Sequence, residues 1–303
     1  MNRREEFRVK LEEILKRGDK EELEEYAVEA LKMGWYIYSY YIVKRYLKLG
    51  YEYSERIDFS KGVVTAMMGF NMRKAYKRAR FKDTKMYILE MIGLNDKSYP
   101  YFEETFEPYK EEMPASYMYR HYLYRMFKGE IPDVREDFEF RTEVERYNIK
   151  LAKGVAEMMK GNLESAQKLL YENLQNTLDR GYDHTSMFIF RFLIPMVYKL
   201  QGKEPAKTLL SLAKDVANDT GNRWFFEMFE IYRWFLDGTF PEYVEDKIRF
   251  FVNRWAMTHE LLARGYLHRE GKDQSRRIEH IVKNHHHFHD LKVLEIFGTP
   301  LEL

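Results

Sequence analysis

The sequence predicts an all-α fold, and three observations support this prediction. Apolar residues recur at helical spacing, as in Phe7, Leu11 and Ile14. The alternation of apolar and polar residues that is typical of strands is nearly absent. Glycines close amphipathic runs of helical length, at the position where a left-handed residue ends a helix. This punctuation predicts about thirteen helices, with ends at Gly18, Gly34, Gly50, Gly93, Gly129, Gly161, Gly181, Gly202, Gly221, Gly238, Gly265 and Gly298.

Several segments carry the intervals of stacked helical hairpins, in which small residues let paired helices approach and a glycine ends one helix tightly. In the best of them the residues are spaced by seven, five and four positions. A later block repeats this one after about 41 residues, with one residue lost. The residues concerned are Gly154, Gly161, Ala166 and Leu170, then Gly202, Ala206, Leu209 and Leu210, and near the start of the chain Gly18, Asp19, Leu23, Ala27 and Ala30.

These intervals resemble a degenerate tetratricopeptide array and are similar to the helical-repeat domain of the bacterial maltose-regulon activator. The resemblance covers residues 1–50 and 140–262 and reaches the middle of the chain by analogy, because the Trp, Tyr and late Pro positions of the family are mostly unmatched. It implies a tetratricopeptide-like α-solenoid of stacked helical hairpins, a fold whose outer surface binds partners.

The chain divides into four predicted segments. Residues 1–93 hold N-terminal helical hairpins with a basic helix. Residues 94–132 form an irregular helical connector, in which Pro100, Pro108 and Pro114 predict a short helix between breaks. Residues 133–264 hold the tetratricopeptide-like repeats. Residues 265–303 form a basic, histidine-rich helical tail that acts either as a cap or as a dimer element.

The most concentrated charge lies where the basic helix ends. Seven cations accompany a single acid, Asp83, and two aromatic residues, Tyr76 and Phe81. Cations next to aromatic rings are what a phosphate backbone with unstacked bases selects, so we predict contact with RNA. The alternative is a solvated face whose cations complement a helix dipole or pair with the acidic residues between positions 103 and 112. With three residues of the tail, the predicted nucleic-acid-binding set is Arg73, Lys74, Lys77, Arg78, Arg80, Lys82, Lys85, Arg269, Arg276 and Arg277.

Histidines concentrate in the tail, at His268, His280, His285, His286, His287 and His289. His285 and His289 are four residues apart, which would place both on one helical face, and such a pair suits zinc. Asp290 and His280 are candidate third ligands. Because neither a cysteine nor an HExxH motif accompanies them, we predict no metal. The alternatives are a surface that meets RNA or another subunit and an ordinary exposed helix start.

Aromatic residues are dense at positions 35–41, 117–124 and 224–235. Their helical spacing, as in Trp224, Met228, Ile231 and Phe235, predicts packing between helices and not a ligand cage. The aromatic groups are therefore expected in the core.

Composition bounds the class of protein. The 303 residues are 45% apolar, enough for a large core, and contain no cysteine, so disulfides and thiolate chemistry are excluded. The longest apolar stretch, 187–198, is broken by Arg191 and Pro195 and is shorter than the roughly 20 residues of a membrane span. The chain starts on a charged amphipathic helix and not on an export signal. We expect a cytoplasmic protein without a membrane partner.

Charged residues make up 33% of the chain with a net charge of only +1. This balance resembles the proteins of hyperthermophiles and suggests an archaeal source. Attraction for nucleic acid must then come from local patches and not from the overall field.

No motif of a catalytic site is present. The sequence lacks GxxxxGK[ST], GxGxxG, GxSxG and HExxH, and its paired carboxylates lie on the outer faces of amphipathic helices. We therefore predict a binding protein and not an enzyme, with no cofactor.

The partner is predicted from a second resemblance. The length, mass and repeat type resemble the archaeal ribosome-dimerisation factors, tetratricopeptide-like homodimers that pair small ribosomal subunits during dormancy. The resemblance implies that each protomer grips one small subunit through rRNA and ribosomal proteins. The alternative is a protein-protein scaffold or regulatory sensor that binds a protein or a small effector. Since no DNA-reading domain is seen, such a protein would act through a partner.

Overall fold

The computed structural model describes residues 3–179, 215, 217–299 and 301. Within these ranges it contains fifteen α-helices, one short 3-10 helix and no strand, which confirms the all-α prediction. None of the helices in this part of the chain combines the length and apolar character needed to cross a membrane.

The first ten helices follow one another from the amino terminus. Their bounds are α1 Arg3–Arg17, α2 Lys20–Lys32, α3 Tyr36–Lys48, α4 Glu55–Met67, α5 Met72–Arg78, α6 Lys82–Ile92, α7 Asn95–Phe106, the 3-10 helix Glu107–Tyr109, α8 Pro114–Phe127, α9 Glu143–Lys160 and α10 Leu163–Asp179. The carboxyl-terminal part has five more. Their bounds are α11 Arg223–Asp237, α12 Pro241–Arg254, α13 Met257–Arg269, α14 Ser275–His285 and α15 Phe288–Ile296.

Glycine punctuation sets most of these ends. Nine of the predicted stops have positive φ, as expected for residues that close a helix without a Cβ penalty. The prediction for Gly265 is wrong, because this residue lies inside α13 and the stop is made around Gly271, with φ +88°. At Gly265 a Cβ would lie 2.2 Å from Leu294 Cδ2, so the glycine lets α15 approach α13 closely. Gly181 and Gly202 lie outside the described residues.

The best repeat intervals correspond to a pair of packed helices, α9 and α10. Gly154 lies in α9, and a Cβ at that position would be 2.8 Å from Leu170 Cδ2 of α10. Ala166 and Leu170 are both fully buried. The small residues therefore do what the intervals predicted, which is to let two helices approach. The later block, Gly202 to Leu210, lies outside the described residues.

The intervals near the start of the chain also correspond to a pair of packed helices, α2 and α3. Asp19 caps α2 by accepting a hydrogen bond from the Glu22 amide, 3.0 Å away. Ala27 is fully buried, and its carbonyl accepts a 3.0 Å hydrogen bond from Ser39 Oγ of α3. Helices α1 to α4 enclose a small aromatic-rich core around Phe7, Trp35 and Tyr46.

The main core joins distant parts of the chain. Besides consecutive pairs such as α2 with α3, α6 with α7 and α12 with α13, α11 packs on α4, α13 on α6, α14 on α7 and α15 on α8. The largest cluster of buried apolar residues therefore draws on the predicted segments 1–93, 133–264 and 265–303 together. The carboxyl-terminal helices thus cover helices of the first half, beyond the contacts between neighbouring hairpins.

Two local predictions are wrong. Pro100 does not break the connector helix, since α7 runs through it, and the break comes at the 3-10 helix instead. The aromatic group at 35–41 is only partly core. Trp35 and Tyr36 are buried, whereas Tyr40 and Tyr41 are 43% and 51% exposed. The group at 224–235 is core as predicted, with Phe225, Phe229 and Ile231 buried among other members.

Candidate nucleic-acid interface

Helix α5 carries the first part of the predicted basic run. Asn71 caps it, with its side-chain oxygen accepting a 3.2 Å hydrogen bond from the Lys74 amide. Met72 and Ala75 are buried and fix one face of this short helix on the core. The cations between them are therefore forced to the opposite side.

A buried carboxylate holds the chain after α5. Asp58 of α4 is 1% exposed, and its Oδ2 accepts hydrogen bonds from the amides of Arg80 at 2.9 Å and Phe81 at 3.1 Å. Because these amides belong to the turn between α5 and α6, Asp58 fixes the backbone position from which the Arg80 side chain extends.

Five cations of this region form one exposed group, here called the basic strip: Arg73, Lys74, Lys77, Arg78 and Arg80. Within the described residues, no ion pair joins any of them to an acidic side chain. Many other cations of the described residues have such a partner, for example Lys247 with Glu227 at 2.8 Å. The strip is therefore a local concentration of positive charge at the surface.

Aromatic rings lie beneath both ends of the basic strip. The Arg73 guanidinium carbon is 5.3 Å from the Trp255 ring centre, and that of Arg80 is 4.2 Å from the Tyr53 ring centre. Trp255 is 37% exposed and has φ +61°, a left-handed conformation that is rare for a bulky residue. When an aromatic ring lies under a guanidinium group, the N–H groups at the edge of the guanidinium stay free to bind phosphate.

The electrostatic effect of the strip reaches a neighbouring lysine. The Lys61 Nζ lies 5.1 Å from the Tyr53 ring centre. Burial, and then the charges of Arg78 and Arg80, lower the pKa of Lys61. For Tyr53, burial and the nearby Asp58 carboxylate raise the pKa to about 12, so the phenol stays neutral.

The two lysines of α6 differ from the strip. Lys82 forms an ion pair with Glu104 of α7. Lys85 is half-buried, and its charge acts on the Tyr76 hydroxyl. Lys82 therefore follows the alternative that the sequence left open, which was pairing with the acidic residues between 103 and 112.

Among the three predicted tail residues, two are held by contacts within the protein. Arg269 donates to the Phe235 carbonyl at 2.9 Å and pairs with Glu270 at 3.0 Å. Arg277 pairs at 2.9 Å with Glu260, which is almost fully buried. Arg276 is exposed on α14. The predicted set is therefore not one surface, and the basic strip is its coherent part.

The tail histidines also depart from prediction. Helix α14 ends at His285, and His286 has φ +57°, so His285 and His289 do not share a helical face. His285 Nδ1 lies 2.9 Å from Asp96 Oδ1 of α7, and the Asn95 side chain donates to the His286 carbonyl at 3.0 Å. The tail is thereby tied to α7.

Sequence reasoning missed the residues that shape the strip. Tyr53 and Asp58 come from before and within α4, and Trp255 follows α12, so only the tertiary structure brings them to α5. The Asn71 cap carried a usable local signal, since asparagine before a helical run is a favoured cap. No such signal marks Trp255.

Comparison with known proteins adds no relative. No protein-family model matches the chain, and neither a curated protein nor a solved structure matches it.

Proposed function

We propose that this protein is a non-catalytic binding protein whose basic strip contacts the phosphate backbone of RNA. The observation that carries the proposal is the set of five exposed cations that, within the described residues, have no acidic partner and whose end members lie over aromatic rings. A phosphate backbone suits both features, because arginine binds phosphate with two parallel hydrogen bonds and the rings hold the end guanidinium groups at the surface.

The number of cations in the strip predicts how strongly binding should depend on salt. Each cation that neutralises a phosphate lowers the slope of log K against log salt by about 0.7 on single strands and 0.9 on duplexes. Five contacts predict a slope of about −3.5 to −4.5, a steep dependence that a protein with a net charge of +1 would not otherwise show.

The finer proposal names the small ribosomal subunit as the RNA partner, in an archaeal cell, with the protein acting as a cytoplasmic homodimer that pairs two subunits during dormancy. The consecutive helix pairs would be the hairpins of a degenerate tetratricopeptide-like solenoid that the carboxyl-terminal helices close. Exposed apolar residues on α3 and at its carboxyl-terminal cap suit the contact between protomers. These residues are Tyr40, Tyr41, Leu47 and Leu49.

Charge reversal tests the proposal directly. Replacement of Arg73, Lys74, Lys77 and Arg78 by glutamate should remove the protein from the small-subunit fractions of a sucrose gradient. The salt slope of binding to purified small subunits should flatten by about 3. The matched control reverses four exposed cations of the amino-terminal region and changes the net charge equally. These control residues are Arg8, Lys10, Lys16 and Lys20.

Unchanged binding after reversal of the strip would reject the strip as the RNA site. An equal loss of binding in the control would show that overall charge, and not the strip, causes the effect.

Light scattering on the purified protein tests the homodimer. A monomeric mass at the concentrations that support ribosome binding would remove that part of the proposal.

The alternative effector-binding function is weaker on the same structure. A cavity of about 210 Å³ lies beside α8, lined by Tyr99, His121, Tyr124, Arg125, Lys128 and Glu130. Ligand pockets for drug-sized molecules are larger, at roughly 300 to 1,000 Å³. Arg125 is also paired with Glu130 at 2.8 Å, so its charge is already used.

A further inference from the structure

The start of α15 and the residue before it bring together three side chains with metal-binding atoms: His287, His289 and Asp290. One ring nitrogen of each histidine and one carboxylate oxygen of Asp290 all lie within 4.8 Å of one another. His287 is fully buried and Asp290 is 6% exposed, whereas His289 is partly accessible, with a side chain 28% exposed. The group is therefore enclosed but open on the His289 side.

His287 directs one ring nitrogen to a backbone carbonyl and the other to Asp290. Its Nε2 contacts the Gly93 carbonyl oxygen of the α6 carboxyl end, and because a carbonyl only accepts, Nε2 carries the proton. Its Nδ1 lies 2.7 Å from Asp290 Oδ2. Metal-binding histidines commonly donate their second ring nitrogen to a backbone carbonyl in this way.

His289 supplies the second nitrogen. Its Nε2 lies 3.4 Å from the same Asp290 oxygen. Two ligands that are each about 2.0–2.1 Å from a tetrahedral zinc ion are about 3.3 Å apart, close to this separation. The ring is positioned by Phe127 of α8, whose centre is 4.5 Å away.

We infer that His287, His289 and Asp290 form a site for a divalent transition metal of the zinc class. Two imidazole nitrogens and one carboxylate oxygen match the ligands such ions prefer in the absence of cysteine. The ion would lie between one ring nitrogen of each histidine and one carboxylate oxygen of Asp290. Three protein ligands leave one position of a tetrahedral ion open.

The site departs from the prediction that the chain holds no metal, and the physical reason lies in the helix break. A continuous helix would pair His285 with His289, but the left-handed His286 sends His285 to Asp96 and places His287 beside Asp290. The ion would fix the start of α15 against the carboxyl end of α6 through the His287 bond to Gly93.

Zinc binding by the full-length chain, produced without a histidine tag and stripped with a chelator, tests the site. We expect calorimetry with zinc chloride to give one ion per chain. Elemental analysis after desalting should find the same stoichiometry. Bound Co²⁺ should show the intense visible bands of four-coordinate cobalt.

His289→Gln should weaken zinc binding at least tenfold while circular dichroism shows an unchanged helix content, and Asp290→Asn should do the same. The matched control is His280→Gln, which removes an exposed tail histidine outside the group. Wild-type protein that retains no zinc at equimolar supply would overturn the site. A folded His289→Gln variant with wild-type affinity would overturn it as well.

Discussion

Among single residues, His259 shows how burial determines a charge state. It is fully buried against the rings of Phe70, Trp224 and Phe251. Its Nε2 donates to the Trp224 carbonyl at 3.0 Å, which leaves Nδ1 without the proton and without a hydrogen-bond partner among the described residues. Burial lowers the pKa of His259 from 6.5 to about 4.

This shift predicts a pH dependence of stability. Between pH 6.5 and 4 the unfolded imidazole is protonated and the folded one is not, so the free energy of unfolding falls as the pH falls. His259 alone should contribute a loss of about 3 kcal/mol across that window, at 1.36 kcal/mol per pKa unit. Denaturant unfolding at pH 7 and pH 4 measures it.

His259→Gln is the matched variant, because a neutral amide can keep the hydrogen bond to Trp224 but does not titrate. The difference in unfolding free energy between the two pH values should be smaller in the variant than in the wild type. His289, whose pKa is also near 4, acts in the same direction in both proteins. An equal pH dependence in the two would rule out His259 as a source.

At the scale of elements, the contact between α13 and α15 depends on a missing side chain. Gly265 lies inside α13, and a Cβ there would approach Leu294 Cδ2 to 2.2 Å and Cδ1 to 2.8 Å. Leu294 is fully buried, so it has no space into which to move. The two helices are held at a distance that only glycine permits.

Gly265→Ala should therefore lower the free energy of unfolding by about 1–3 kcal/mol, the usual cost of overpacking a core. Gly161→Asn is the comparison, since Gly161 also has no side chain but nothing lies within 4 Å of its Cβ position. Asparagine tolerates the left-handed conformation, so that change should cost less than about 1 kcal/mol. Equal losses in thermal unfolding would show that the Leu294 contact is not limiting.

Gly265 also shows which part of this fold could be read from the sequence. Glycine stops and the basic strip were predictable, because φ and helical spacing are local properties of a few residues. A glycine required for close approach looks the same as a stop, so Gly265 was mistaken for one. Trp255 and Tyr53 reach the strip only through tertiary packing, and the helix break at His286 lies at a non-glycine residue, for which positive φ is uncommon. These features were therefore beyond local reasoning.

At the scale of the whole molecule, a nearly neutral chain carries two local groups of charged or metal-binding side chains. The basic strip lies on α5, and the histidine and aspartate group lies at the start of α15 against the end of α6. Both depend on elements that are distant in sequence, because Trp255 follows α12 and Gly93 ends α6. The packing of α11, α13, α14 and α15 on helices of the first half therefore supports both sites.

That packing predicts how the protein unfolds. In a linear repeat array each unit contacts only its neighbours, so terminal repeats can open independently. Here one core cluster contains residues of α4, α6, α11, α13 and α14 together. We expect these helices to lose hydrogen-exchange protection with the same free energy as denaturant rises. Helix α1, which packs on α2 and α3 in the separate amino-terminal cluster, should open earlier and serves as the internal reference. If α13 to α15 instead opened at much lower free energy than α4 and α6, the contacts across the chain would not be cooperative, and the molecule would behave as a simple stack of hairpins.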